Sequence, residues 1–192
     1  MTKLNLIENN KSYWIVDDCI IVKPNLDFRG FLIDCDEKKI CLTKLIFSNY
    51  DNYEICIETN NEYKDKYRYS YKYNVFNKRL KYSLSKLTLL KKINFGYYFN
   101  EPLSNSLSNL INLTELTFGK KFNRQLGNSL SNLINLTELT FGKKFNRQLG
   151  NSLSNLINLT ELTFGSDFNQ QLGNSLFNLT KLNKLKFGDE FN

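Results

Sequence analysis

No histidine occurs in the chain, and that absence removes a large part of enzyme chemistry. A Ser-His-Asp triad, a Cys-His pair and an HExxH zinc site each need an imidazole as general base or ligand. The soft nucleophiles that remain are Cys19, Cys35, Cys41 and Cys56. Zinc sites commonly use cysteines in C-x-x-C pairs, and these four contain none. Each lies in or beside an apolar, strand-like run, as in "DCIIV" and "EICIE". Two readings follow: small buried thiols in a reducing compartment, which is favoured, or two disulfides in a secreted domain. The N-terminal "MTKLNLIENNKSYW" has neither the apolar stretch nor the small-residue cleavage site of a signal peptide. No apolar run approaches membrane-spanning length. The expectation is an intracellular, cytoplasmic protein that is not an enzyme, with no cofactor, no metal and no membrane partner.

The charged side chains give a formal balance of +7, which could serve nucleic acid or another anionic surface. It could equally follow from coding bias. The chain has no alanine and is rich in Asn, Lys, Ile, Tyr and Phe, the residues of AT-rich codons. Most lysines are scattered, so the bias reading is preferred.

The elements that would position these groups are set by a repeat. Phe-Gly occurs at Phe95, Phe118, Phe141, Phe164 and Phe187, always 23 residues apart. Phe-Asn follows four residues later each time, and once more upstream at Phe76. Every residue from Asn105 to Gly142 recurs 23 places on. In one unit the apolar positions are Leu126, Leu130, Leu133, Leu136, Leu139, Phe141 and Phe145. "LTF" alternates, with Leu139 and Phe141 on one face and Glu138 and Thr140 on the other, which predicts a short half-buried strand. "NSLSNLINL" has three- and four-residue apolar spacing, which predicts a helical or 3₁₀ turn starting near Ser129. A single 23-residue unit cannot bury its apolar side chains alone. Stacking supplies neighbours on both sides, and identical units stack because every interface is the same. The fold class expected is a solenoid of parallel strands, one per coil.

The Asn after each Phe stands at a fixed place in the stack. Asn100, Asn123, Asn146 and Asn169 are expected to form a buried structural ladder that satisfies backbone groups of the adjacent coil. Asn132 and Asn155 are expected to be solvated.

The pattern L-x-x-L-x-F-G-x-x-F-N-x-x-L resembles the FNIP-type repeat, a branch of the leucine-rich-repeat superfamily found in social amoebae and giant DNA viruses of amoebae. That family usually continues FN with Gln-Pro-Leu. "FNEPL" keeps the proline as Pro102, whereas later coils carry Gln125, Gln148 and Gln171. The resemblance covers roughly Phe76 to Asn192, and the wording "FNRQLGNSLSNLINLTELTFG" is most similar to viral members. It implies a leucine-rich-repeat fold and no catalytic residues.

Residues 1–65 do not repeat. "SYWIVDDCIIVK", "GFLIDC", "KICLTKLIF" and "NYEICIE" read as strands, with "DEKK" as a hairpin turn. A small β-rich N-terminal cap over 1–65 and a solenoid over 66–192 is the expected division. Between them, in "KYRYSYKY", Tyr67, Tyr69, Tyr71 and Tyr73 alternate with Arg68, Ser70 and Lys72. One reading is a stacking platform for single-stranded nucleic acid. The preferred one is a capping strand whose tyrosines lie on the first coil.

Stacked strands align their outward residues. One column holds Lys92, Glu115, Glu138, Glu161 and Lys184; the next holds Asn94, Thr117, Thr140, Thr163 and Lys186. Solenoids generally bind along such a face. Glu115, Thr117, Glu138, Thr140, Glu161, Thr163, Lys184 and Lys186 are therefore the candidate contacts for an unidentified protein partner, with solvated strand residues as the plainer alternative. The chain stops at Phe191-Asn192, after the fifth strand of the array. Lys184 and Lys186, with Lys181 nearby, are expected to blunt that edge, with self-association through it as salt screens them.

Overall fold

The computed structural model describes residues 87–192 throughout, preceded by Asn77, Arg79, Leu80 and Leu84. Upstream it describes the backbone of four strands: β1 (Leu6–Asn9), β2 (Tyr13–Val16), β3 (Cys19–Val22) and β4 (Lys44–Phe47). β2, β3 and β4 fall in two of the segments read as strands. The segments "GFLIDC", "NYEICIE", "DEKK" and "KYRYSYKY" lie outside the described residues.

Five further strands follow at the repeat period: β5 (Lys92–Phe95), β6 (Glu115–Phe118), β7 (Glu138–Thr140), β8 (Glu161–Thr163) and β9 (Lys184–Lys186). All nine form one sheet in chain order. β1, β2 and β3 pair antiparallel; from β3 onward every pairing is parallel. Within the array the register advances one full unit per strand, so Leu116 pairs with Leu139 and Leu139 with Leu162.

The seven apolar positions read from one unit are all buried, from Leu126 through Phe145. Two phenylalanines per coil build a continuous aromatic column. Phe141 and Phe145 stack at 4.0 Å between ring centroids, and Phe141 lies 5.4 Å from Phe118 and from Phe164. The inter-coil spacing falls within the range for favourable aromatic pairs, so each coil extends the stack.

After the Phe-Asn pair the chain returns through separate turns rather than a helix. Amide N–H groups of Ser129, Ser131, Leu133 and Leu136 donate to the carbonyls of Leu126, Asn128, Leu130 and Leu133, each three residues back. The turns begin at Leu126, earlier than Ser129. Leu130, Leu133 and Leu136 recur every three residues, so each turn delivers one leucine to the core. Gly127, at φ 52°, adopts a left-handed conformation that an L side chain resists, and it bends the chain at the entry to the return.

The second glycine of each unit is needed for a different reason. A Cβ at Gly142 would stand 2.2 Å from the carbonyl oxygen of Gly119, because successive coils pack backbone on backbone there. Thr140, expected to be exposed, is half-buried, since Thr117 and Thr163 flank it on the neighbouring strands. Glu138 is exposed as expected.

Candidate interaction face

Strand pairing brings the candidate contacts into two columns. Glu115, Glu138, Glu161 and Lys184 are successive register partners, with Lys92 before Glu115. Thr117, Thr140, Thr163 and Lys186 are aligned in the same way. The basic ends close on their acidic neighbours. Lys92 Nζ lies 2.5 Å from Glu115 Oε1, and Lys184 pairs with Glu161. The hydrogen bond to Glu115 is the main cause that raises the Lys92 pKa above its ordinary value; slight desolvation opposes it. Glu138, at the centre, makes no ion pair among the described residues and carries its charge outward. The threonine column is half-buried, as are Glu115 and Glu161 beside it.

Beside the strands, Thr114, Thr137 and Thr160 each donate through Oγ1 to the carbonyl one coil back, at 3.0 Å. These hydroxyls hold the coils together and leave the glutamates as the outward chemistry of the face.

The asparagines after each Phe use their oxygens. Asn100 Oδ1 accepts the Asn123 N–H at 2.9 Å, Asn123 Oδ1 that of Asn146 at 3.0 Å, and Asn146 Oδ1 that of Asn169 at 3.0 Å. Asn169 Oδ1 accepts the Asn192 N–H at 3.2 Å. Asn100, Asn123 and Asn146 are half-buried rather than buried, and Asn169 is exposed.

Asn132 and Asn155 are exposed, but solvation is not their whole role. Their Nδ2 groups donate to the carbonyls of Ser108 and Ser131 at 2.8 and 3.0 Å. Asn135 and Asn158 do the same to Ile111 and Ile134, both at 2.8 Å. The sequence reading missed these bonds, although the strict recurrence of both asparagines at matching positions was their signal. The repeat thus contains asparagine ladders of opposite polarity: one accepts from the following coil, the others donate to the preceding one.

Among the described residues no three Cys, His, Asp or Glu side chains gather as metal ligands. No helix among them is long and apolar enough to cross a membrane. The tyrosine strip at 66–73 and the cysteine side chains fall outside the described residues.

One parallel strand per 23 residues, leucine-lined returns and an asparagine ladder define a leucine-rich-repeat-type solenoid. No family model matches the chain. No curated protein matches it. Solved structures similar to it include an internalin from Listeria monocytogenes, at 28% identity and TM-score 0.48, covering 56% of this chain and 31% of the internalin. The leucine-rich-repeat ectodomain of the receptor kinase SOBIR1 from Arabidopsis thaliana is similar at 19% identity and TM-score 0.48, over 59% of this chain and 63% of that one. CroV588, described as a circular leucine-rich-repeat protein, is similar at 26% identity and TM-score 0.41, over 79% and 24%. The chain spans less than two thirds of the length of each.

Proposed function

We propose that the array is a non-catalytic protein-interaction module that binds a basic partner segment along its strand face. The supporting observation is the acid column itself: Glu138 is exposed and has no ion pair among the described residues, between two glutamates whose lysine partners sit at the outer coils. A cationic side chain approaching Glu138 meets an exposed carboxylate that no described lysine or arginine pairs with. In this reading residues 1–65 cap the array and residues 66–192 carry the face. The Phe-Asn motif supports a place among FNIP-type repeat proteins. The viral wording of the repeats makes cytoplasmic proteins of an amoebal host the first partners to test.

The test compares Glu138→Lys with the triple change of Glu115, Glu138 and Glu161 to Lys. Circular dichroism of both should match the parent, because these side chains are not in the core. Proteins retained from host extract by the parent should be lost from the triple variant and reduced by Glu138→Lys. An unchanged set of retained proteins would remove the strand face from consideration.

A further inference from the structure

Each coil leaves its strand through a two-residue turn between Phe-Gly and Phe-Asn. Coil by coil these residues are Tyr97–Tyr98, Lys120–Lys121, Lys143–Lys144, Ser166–Asp167 and Asp189–Glu190. The long recurrence ends at Gly165, and the next two residues switch from Lys-Lys to Ser-Asp. Backbone bonds keep the turns in line. The N–H groups of Lys121, Lys144, Asp167 and Glu190 donate to the carbonyls of Tyr97, Lys120, Lys143 and Ser166 at 2.9 to 3.0 Å.

The result is a continuous edge on which charge changes sign halfway along. Two coils carry four exposed lysines; the next two carry half-buried Asp167 and exposed Asp189 and Glu190. Lys144 bonds Asp167 at 2.7 Å across the change of sign. Lys121, Lys143, Asp189 and Glu190 make no ion pair among the described residues, and Lys120 lies over the Tyr97 ring at 5.2 Å from its centroid.

A row that reads positive, positive, negative, negative is its own complement when reversed. We propose that this edge is a self-docking surface, on which a second copy of the chain binds across a twofold axis passing between the Lys143–Lys144 and Ser166–Asp167 turns. Lys120 and Lys121 of one copy then face Asp189 and Glu190 of the other, and the same contacts recur on the far side of the axis. An isologous interface requires such self-complementarity. A polyanion fits the edge less well, because half of its length would meet Asp167, Asp189 and Glu190. The surface is distinct from the strand face, so the two readings stand or fall separately.

Sedimentation velocity tests the proposal in two salts, at about 10 mM and about 1 M, where the screening length is roughly 30 Å and 3 Å. The full chain should form this dimer in the first and lose it in the second, the opposite salt dependence to association through the β9 edge. Reversing Lys120 and Lys121 to Glu should weaken self-association about a hundredfold. Reversing Asp189 and Glu190 to Lys should do the same. A mixture of the two variants should restore a dimer, because each reversed turn then meets the opposite reversal. A monomeric parent at low salt, a dimer indifferent to either reversal, or a mixture that stays monomeric would overturn the proposal. So would a parent that remains monomeric while binding heparin through the lysines, which would make the edge a polyanion site.

Discussion

Changing one asparagine to aspartate should have opposite consequences at two places in the same coil. Asn123 uses Oδ1 to accept the Asn146 N–H at 3.0 Å, whereas Asn135 uses Nδ2 to donate to the Ile111 carbonyl at 2.8 Å. An aspartate retains acceptors and loses the donor. At position 123 the bond survives and becomes charge-assisted, roughly twice as strong as its neutral counterpart. Desolvation of the half-buried carboxylate offsets that gain. Asn123→Asp should therefore stay within about 0.5 kcal/mol of the parent, while Asn123→Ala strands the Asn146 N–H and costs about 1–3 kcal/mol. At position 135 the bond is lost and a carboxylate faces a carbonyl oxygen. Asn135→Asp should cost about 1 kcal/mol, matching or exceeding Asn135→Ala. Urea unfolding at neutral pH, followed by circular dichroism, measures all four differences. Hydrogen exchange adds a local readout: the Asn146 amide should stay protected in Asn123→Asp and lose protection in Asn123→Ala. Equal destabilisation of Asn123→Asp and Asn123→Ala, or a harmless Asn135→Asp, would refute the assignment of ladder polarity.

The two glycines of a coil should also respond differently. Gly127→Ala should cost about 1 kcal/mol from the left-handed backbone alone, since nothing lies within 4 Å of the added carbon. Gly142→Ala should cost about 3 kcal/mol or more in the same urea assay, because its Cβ meets the Gly119 carbonyl. Removing Leu136 to Asn158 should leave a cooperatively folded, shorter protein with a smaller urea m-value, since the deletion rejoins identical interfaces. The Lys144 hydrogen bond holds the Asp167 carboxyl below its ordinary pKa. Its contribution is present above the unfolded value of about 3.9 and is lost as pH falls through the lower folded value. Thermal melts across acidic pH should show that component in the parent and not in Asp167→Asn.

The array was legible because its signals are periodic and redundant. The Leu139-Thr140-Phe141 alternation and the return spacing of Leu130, Leu133 and Leu136 specify the strand face and the core, and those leucines and Phe141 are buried. The form of the return was less legible. Three-residue leucine spacing suits a 3₁₀ helix and a string of separate turns alike, and the backbone bonds, made at Ser129, Ser131, Leu133 and Leu136 rather than at consecutive residues, are those of separate turns. Columns are read more easily than bonds between columns. Asn132 and Asn135 look like surface asparagines in one dimension; only stacking puts each amide against a carbonyl of the preceding coil. The sign change along the turn edge was also open to inspection, but its side chains lie outside the apolar pattern that organised the reading.

Repetition this strict leaves the folding chain with an addressing problem. A coil that docked one step out of place between Asn105 and Gly165 would find the same leucines, phenylalanines and amides it meets in its proper place. The core therefore cannot discriminate correct from shifted assembly there, and near-degenerate packings are the raw material of kinetic traps. Discrimination falls to the positions that break the copy. Pro102 and Ser104 mark the coil before the identical stretch, and Ser166 and Asp167 mark the coil after it. The bond from Lys144 to Asp167 marks where the Lys-Lys turns give way to Ser-Asp, so a weak surface contact labels the end of the identical stretch, although Lys121 in a shifted coil would serve Asp167 as well as Lys144 does.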